Sequence, residues 1–399
     1  MPEADFNKVV DEFIEEQNKH IGEIVIPRVG AHPRQPEAGT FGHIFHEFIT
    51  TDTIRHYADA MGDKNPLFRS EDYAKGTVWG GIIAPPTFTD CIGASWAAVG
   101  RGFKRGEQKF RAPGEPSGAK RQFFQVIRPG DRFRIVDKYL GINERKSKQE
   151  RPYRLLIDTW KRTYLNQRDE TVAIVDCYQA ILAFPKDAPP AGPMYSGGTR
   201  KRRKLTDKER DAIYRGYEEL KIRGSEVLWW EDVTVGEELK PLTVAPATTW
   251  DVAAFFASVA GECLGFDLLW EQLSMDRGSL TPDPETNFYR CGGEGHFADG
   301  LGLSVGATGG YAVPPGGLID GLICRTICNW MGDYGFLKMI NTQFRGVPIQ
   351  GEVWRIKGQV TGKSTEGDEH LVDLSLCCEN LEGMSIVPAT ATVRLPSRT

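Results

Sequence analysis

Apolar and polar positions along this chain follow a helical period and then a strand period, and the whole succession occurs twice. TTDTIRHYADAMGD at 50–63 and TTWDVAAFFASVAG at 248–261 open on threonines and then space apolar residues three and four apart, which predicts two short helices begun by a Thr cap. A Pro pair and a second apolar stretch follow each, IAPPTFTDCIG from Ile83 and VPPGGLIDGLICRTICNWMG from Val313. The later stretch predicts a helix from about 316 to 331 with no polar stripe, so it should be buried on most sides. Next comes a strand with a turn, QFFQVIRPGDRFRI from Gln122 and QFRGVPIQGEVWRI from Gln343, and then two alternating runs around NQRDE or NLEG, a hairpin pattern. Each half therefore reads helix, loop, long central helix, antiparallel meander, an α+β layer design present in two copies.

The segment between the halves, KDAPPAGPMYSGGTRKRRK, has the Pro, Gly and Ser content of a linker. A helix follows it, capped by Thr206 with Glu209 at capping-box spacing and expected to end on Gly224. The division is thus 1–185 for the first module, 186–225 for linker and helix, and 226–399 for the second module. The KRRK run at 201–204 reads either as a solvated linker patch or as a site for phosphates.

Composition narrows the function. The 399 residues carry 49 Lys and Arg against 54 Asp and Glu, a net charge of -5, which argues against a nucleic-acid partner. No run reaches the roughly 18 apolar residues of a membrane span, and the acidic N-terminus lacks a signal pattern, so the expectation is a cytoplasmic protein with no membrane partner. Cys91, Cys177, Cys324 and Cys328 lie in apolar runs and read as buried free thiols. Cys377 and Cys378, adjacent in a strand pattern, should face opposite ways. A zinc site would need more Cys or His close by, so no metal is expected. The glycine-rich GGEGHFADGLGLSVGATGG lacks the Gly-Lys-Ser/Thr of a phosphate loop.

MGDKNPLFRSEDYAKGTVWGGIIAPPTF resembles the FAS1-like dehydratase half of MaoC-type proteins, and WEDVTVGEELKPLTVAPATTWDVAAF resembles the opening of a second MaoC module. NWMGDYGFLKMINTQFRGVPIQGEVWRIKGQVTGK, with the ending ATVRLPSR, is similar to the later half of long acyl dehydratases. The resemblance spans roughly residues 22 to 398. It implies a double hot-dog fold, each module a long helix on a curved antiparallel sheet, and hydration or dehydration across the α,β carbons of an acyl-CoA thioester without a cofactor.

The family's Asp-x-Asn-Pro-x-His loop supplies a carboxylate and an imidazole for proton transfer. Here the first copy reads Asp63-Lys64-Asn65-Pro66-Leu67-Phe68, with phenylalanine in place of the histidine. That half is expected to have lost chemistry and to hold the acyl chain, Asn65 and Phe68 binding substrate, although Asp63 alone could still act as a base. In the second copy His296 takes the histidine position, its separation from the Pro pair matching that of Phe68 within a residue. The family carboxylate position falls on Cys291. The stretch from Glu262 to Arg290 is longer than its counterpart, which suggests an insertion bringing a substitute carboxylate, with Glu294 nearest and Asp283 or Glu285 further off. Catalysis is therefore assigned to His296 and Glu294, with Asp63 as a further candidate, against the alternative of a structural histidine. Gly316 and Gly317 at the start of the second central helix would offer N–H groups to the thioester carbonyl, where the first copy has Pro86, which has no N–H. Trp330, Asp333 and Tyr334 match the family pattern and read as helix-end packing.

Two other functions remain open at this stage. One is a hot-dog thioesterase using Asp320 on the central helix. The other is a non-catalytic acyl-binding subunit that needs a separate hydratase partner. A homodimer of the two-module chain is expected.

Overall fold

The computed structural model describes residues 3–25, 34–35, 40–41, 46, 48–93, 109–112, 114–146, 153–187, 201–259, 282–283, 285–288, 292–301 and 308–398. The fold is α+β, a double hot-dog built on one antiparallel sheet. Strands β1 (Ile24–Val25), β4 (Phe110–Arg111), β5 (Gly114–Phe123), β6 (Phe133–Glu144), β7 (Arg154–Asn166) and β8 (Thr171–Pro185) form the first module's share. The short β2 (Arg34–Gln35) and β3 (Thr40–Phe41) pair only with each other. The second share is β9 (Glu238–Val244), β10 (Phe336–Gln343), β11 (Trp354–Glu366), β12 (Glu369–Asn380) and β13 (Ser385–Leu395). The order runs β1-β6-β7-β8-β5-β10-β13-β12-β11-β9, with β4 on β8. The two modules are thus welded along β5 and β10, from Gln122 opposite Met339 to Gly118 opposite Gln343. Gly118 sits at φ +134, and a Cβ there would lie 2.1 Å from the Thr342 carbonyl oxygen, so the seam admits only glycine.

The helices follow the periodicity. Helix α2 (Thr51–Ala60) has Thr50 as its cap in a reciprocal box with Thr53. Two short helices, α3 (Glu71–Lys75) and α4 (Thr89–Ile92), close the first module's described loops, and residues 94–108, where its central helix was expected to continue, lie outside the described residues. Helix α5 (Asp207–Glu218) carries the predicted Thr206–Glu209 box. It stops at Glu218, not at Gly224, because the end of the second central helix captures the following turn: Arg223 N–H donates to the Asn329 carbonyl, and Asp333 N–H to that of Gly224. Helix α6 (Thr249–Val259) begins beside Thr248, whose hydroxyl and the Asp251 carboxylate bond across the first turn. Helix α7 (Gly316–Met331) is buried from Gly317 to its last residue, as the lack of a polar stripe predicts. Helix α1 (Glu3–Asn18) was not anticipated. Its Phe6, Val10 and Phe13, at helical spacing, build a second, smaller core with Phe110, Ile142, Leu156 and Ile181. Cys91, Cys177, Cys324 and Cys328 are buried free thiols, and Cys378 is buried while Cys377 is half-exposed.

The strand register gives the correspondence between the copies. The β6–β7 ladder slips between Tyr139 and Gly141, and the β11–β12 ladder slips at the same place, between Val360 and Gly362. Tyr139 opposite Trp160 therefore corresponds to Val360 opposite Leu374, and Asp137 opposite Arg162 to Gly358 opposite Leu376. Asp158, one step beyond the slip, corresponds to Val372. The copies share a backbone but differ in their inner faces. At these positions the second is aliphatic, whereas the first buries the Asp137–Arg162 ion pair at 2.8 Å and the Asp158 carboxylate.

Arg121 on β5 spans both copies. Its Nη2 lies 3.1 Å from Asp90 of α4 and 2.8 Å from Asp320 of α7, and all three side chains are buried. Pro85 and Pro315 are the corresponding N-caps of the two Pro-rich turns, so Asp90 and Asp320 occupy the same place in each copy, five residues on. One guanidinium holds both carboxylates across the seam, and their charge keeps it firmly protonated despite its burial.

Candidate functional site

His296 ends a 3-10 helix, Gly292–His296, and is fastened to the residues just before α7. Its Nδ1 lies 2.6 Å from the Val313 carbonyl oxygen, Val313 N–H donates to the Gly295 carbonyl, and the Gln350 amide donates to the carbonyl of His296 itself. Because a carbonyl can only accept, Nδ1 carries the proton, and Nε2 of the neutral ring is left as an acceptor. No described residue hydrogen-bonds Nε2. Phe256 packs 5.5 Å from the ring. Burial lowers the imidazole pKa, while the Val313 bond opposes this more weakly, so the ring stays neutral.

Three residues after Val313 the helix α7 begins. Pro315 caps it without a side-chain hydrogen bond, and the N–H groups of Gly316 and Gly317 reach no acceptor among the described residues. A Cβ on Gly316 would stand 3.0 Å from the ring of Phe344, so glycine is needed there for packing as well as for access. The structure thus brings His296 and the Gly316–Gly317 amides to one end of α7. Glu294 stands two residues before His296, and a 3-10 turn of three residues points the two side chains apart; no hydrogen bond joins them. Most of the expected insertion lies outside the described residues. Within it, Asp283 is buried and accepts from the N–H groups of Glu285 and Thr286, while Glu285 is exposed.

The first copy's loop lies at the opposite end of α7. Asp63 accepts from Asn65 N–H and caps its own loop, and burial raises its pKa against the nearby guanidinium of Arg325, which donates to the Met61 carbonyl. Asn65 donates from Nδ2 to Asp333, whose other oxygen accepts from the hydroxyl of Tyr73 at 2.6 Å. Trp79 Nε1 donates to the Asp333 carbonyl. Asn65, Phe68 and Trp79 then line an apolar cleft together with Cys328, Met331 and Asp333 of the second module. Neither His296 nor Gly316 and Gly317 belongs to that lining. Asp333, read from sequence as helix-end packing, is the residue that ties the first copy's loop to the second module. Its side-chain partners lie more than 250 positions away in the chain, so the local helix-end pattern could not reveal this role.

Asp320 is buried and held by Arg121, which removes it as a free carboxylate on the central helix. In the KRRK run, Arg202 pairs with Asp299, and Arg203 with Glu209 and Glu382, so neither guanidinium is open to a phosphate. No helix among the described residues is long and apolar enough to cross a membrane.

Comparison with known proteins agrees with this architecture. The family profile described as "FAS1-like, dehydratase domain region" matches residues 39–175. A UPF0336 protein of Thermobifida fusca is 48% identical over 40 residues, 10% of this chain and 26% of its own length. A Streptomyces avermitilis member is 29% identical over 98 residues, 22% of this chain and 58% of its own length. The chain therefore spans less than two thirds of either relative. Among solved structures, a MaoC-like dehydratase superposes with a TM-score of 0.62 at 15% identity, covering 95% of this chain and 100% of that one. A conserved hypothetical protein of Mycobacterium tuberculosis with a double hotdog fold gives 0.53 at 10% identity, covering 94% and 96%. A MaoC domain protein dehydratase from Chloroflexus aurantiacus gives 0.52 at 12% identity, covering 95% and 96%. The chain thus carries a FAS1-like dehydratase region over residues 39–175 and shares the double hot-dog fold of these MaoC-like structures.

Proposed function

We propose that this protein adds water to, or removes it from, the α,β bond of an acyl-CoA thioester at the His296 end of α7. The observation that carries the reading is the imidazole whose Nδ1 is fixed on the Val313 carbonyl three residues before the start of α7, while Nε2 and the first N–H groups of that helix bond to no described residue. In the hydration direction Nε2 takes a proton from water as its oxygen bonds to the β-carbon. The π electrons shift towards the thioester oxygen, where the Gly316 and Gly317 N–H groups and the helix dipole meet the developing charge. The imidazolium then returns its proton to the α-carbon, so the ring alone balances the reaction and is regenerated. Glu294 is the nearest carboxylate in sequence and the second group to test. Asn65 and Phe68 stand at the Cys328 end of α7, twelve residues or about 18 Å from Gly316 by helix rise, so they meet only a long acyl chain.

A thioesterase reading is disfavoured because Asp320 is buried against Arg121. Purified protein assayed alone with crotonyl-CoA and with bulkier enoyl-CoAs should consume the enoyl absorbance without releasing thiol. His296→Ala should lower turnover by about 10² or more, and a folded variant with undiminished turnover would remove His296 from the chemistry. Thiol release would restore the esterase reading, and activity only with an added hydratase subunit would make the chain an acyl-binding partner.

A further inference from the structure

The segment that joins the modules reaches back to the His296 site through Arg202. Its Nη1 and Nη2 grip both oxygens of Asp299 at 2.5 and 2.8 Å, and its Nε–H donates to the Gln350 carbonyl at 2.5 Å. The guanidinium lies 4.6 Å over the ring of Tyr311. Two of these contacts lead to the imidazole. Asp299 is on the same loop as His296 and also accepts from Ala312 N–H, next to the Val313 carbonyl that holds Nδ1. Gln350 donates from its side chain to the His296 carbonyl and from its backbone to that of Ala312. The approach is close: Gly351 has φ +84, and a Cβ there would stand 2.8 Å from Arg202 Cδ and Nε.

We infer that Arg202 is a positioning residue for His296, a fork that locks three segments so that the ring keeps its Nδ1 bond to Val313 and presents Nε2 towards the start of α7. The inference rests on the proposed role of His296. A guanidinium suits the task because it supplies several donors in one rigid plane and stacks on an aromatic face, whereas an ammonium offers a single mobile point charge. Asp299 answers with a lowered pKa, chiefly through its hydrogen bonds from Arg202. The ion pair itself is half-exposed and contributes little to global stability, so loosening it should leave the protein folded.

The test uses the full chain with Arg202→Ala, Arg202→Lys and His296→Ala. His296 is followed by the titration of its ring proton signals in NMR, assigned by their loss in His296→Ala, and crotonyl-CoA hydration is measured alongside. Arg202→Ala should move the His296 titration upward towards that of an ordinary histidine and lower kcat by about tenfold to a hundredfold with little change in KM, the scale of a displaced catalytic group. Arg202→Lys should fail to rescue either readout. A titration of His296 that is the same in the wild type and Arg202→Ala overturns the inference, whatever turnover does, and so does full rescue by lysine. If instead His296→Ala keeps its activity while the Arg202→Ala titration moves, Arg202 positions the ring and it is the catalytic reading that fails.

Discussion

Asp158 offers a prediction whose size can be worked from its surroundings. It projects from β7 into the first module's inner face, is 4% exposed, and has Val372 as its counterpart in the second copy. Burial raises its pKa from 3.8 to about 6, and the polar groups of the neighbouring Tyr139 and Trp160 offset only part of that. Between pH 4 and 6 the folded protein keeps a proton that the unfolded chain has released. Stability therefore falls as pH rises through this window and is level above it. At about 1.4 kcal/mol per pH unit, a change from 3.8 to about 6 amounts to about 3 kcal/mol. Asp158→Asn cannot ionise and escapes that loss. Relative to the wild type, the variant should gain about 3 kcal/mol in unfolding free energy between pH 4 and pH 7, read from guanidinium titrations across the range. Other carboxylates titrate equally in both proteins and cancel in the difference. A difference that stays flat with pH would refute the claim that Asp158 is ionised in a poorly solvated place at neutral pH.

Two further perturbations probe the seam. Arg121→Met leaves Asp90 and Asp320 buried without their shared cation and should cost about 3–5 kcal/mol in thermal or chemical unfolding; adding Asp90→Asn and Asp320→Asn should recover most of it, and no recovery would mean that packing, not charge, is what Arg121 supplies. A Cβ on Gly321 would meet Met61 Sδ at 2.2 Å and Tyr57 Oη at 3.0 Å, so Gly321→Ala should destabilise by about 1–3 kcal/mol. Combined with Met61→Ala its cost should be smaller than alone by a measurable coupling, and strict additivity would contradict the close approach of α2 and α7.

Regular periodicity made most of the fold readable. Alternation in β6, β7, β11 and β12, the lack of a polar stripe on α7 and the Thr caps of α2 and α5 each reflect a rule that acts over one to four residues. Repetition supplied the rest, since one module's pattern predicts the other's. The limits of the helix after the linker were misread because Arg223 and Gly224 are drawn to the end of α7, a contact across more than a hundred residues.

For the site, the sequence by itself singled out His296, the Gly316–Gly317 pair and the loss of a histidine at Phe68, because each departs from a repeated motif at a countable distance from a Pro pair. Only the tertiary structure decided what those residues touch. It set the Nδ1 bond to Val313 and placed the Asn65 loop at the far end of α7. It also brought Asp333, Arg121 and Arg202 to partners that are remote in the chain. The reason is physical: periodicity records which face of an element is buried, while charge pairing and hydrogen bonding across a seam depend on distances that arise only once the two copies have closed on one another.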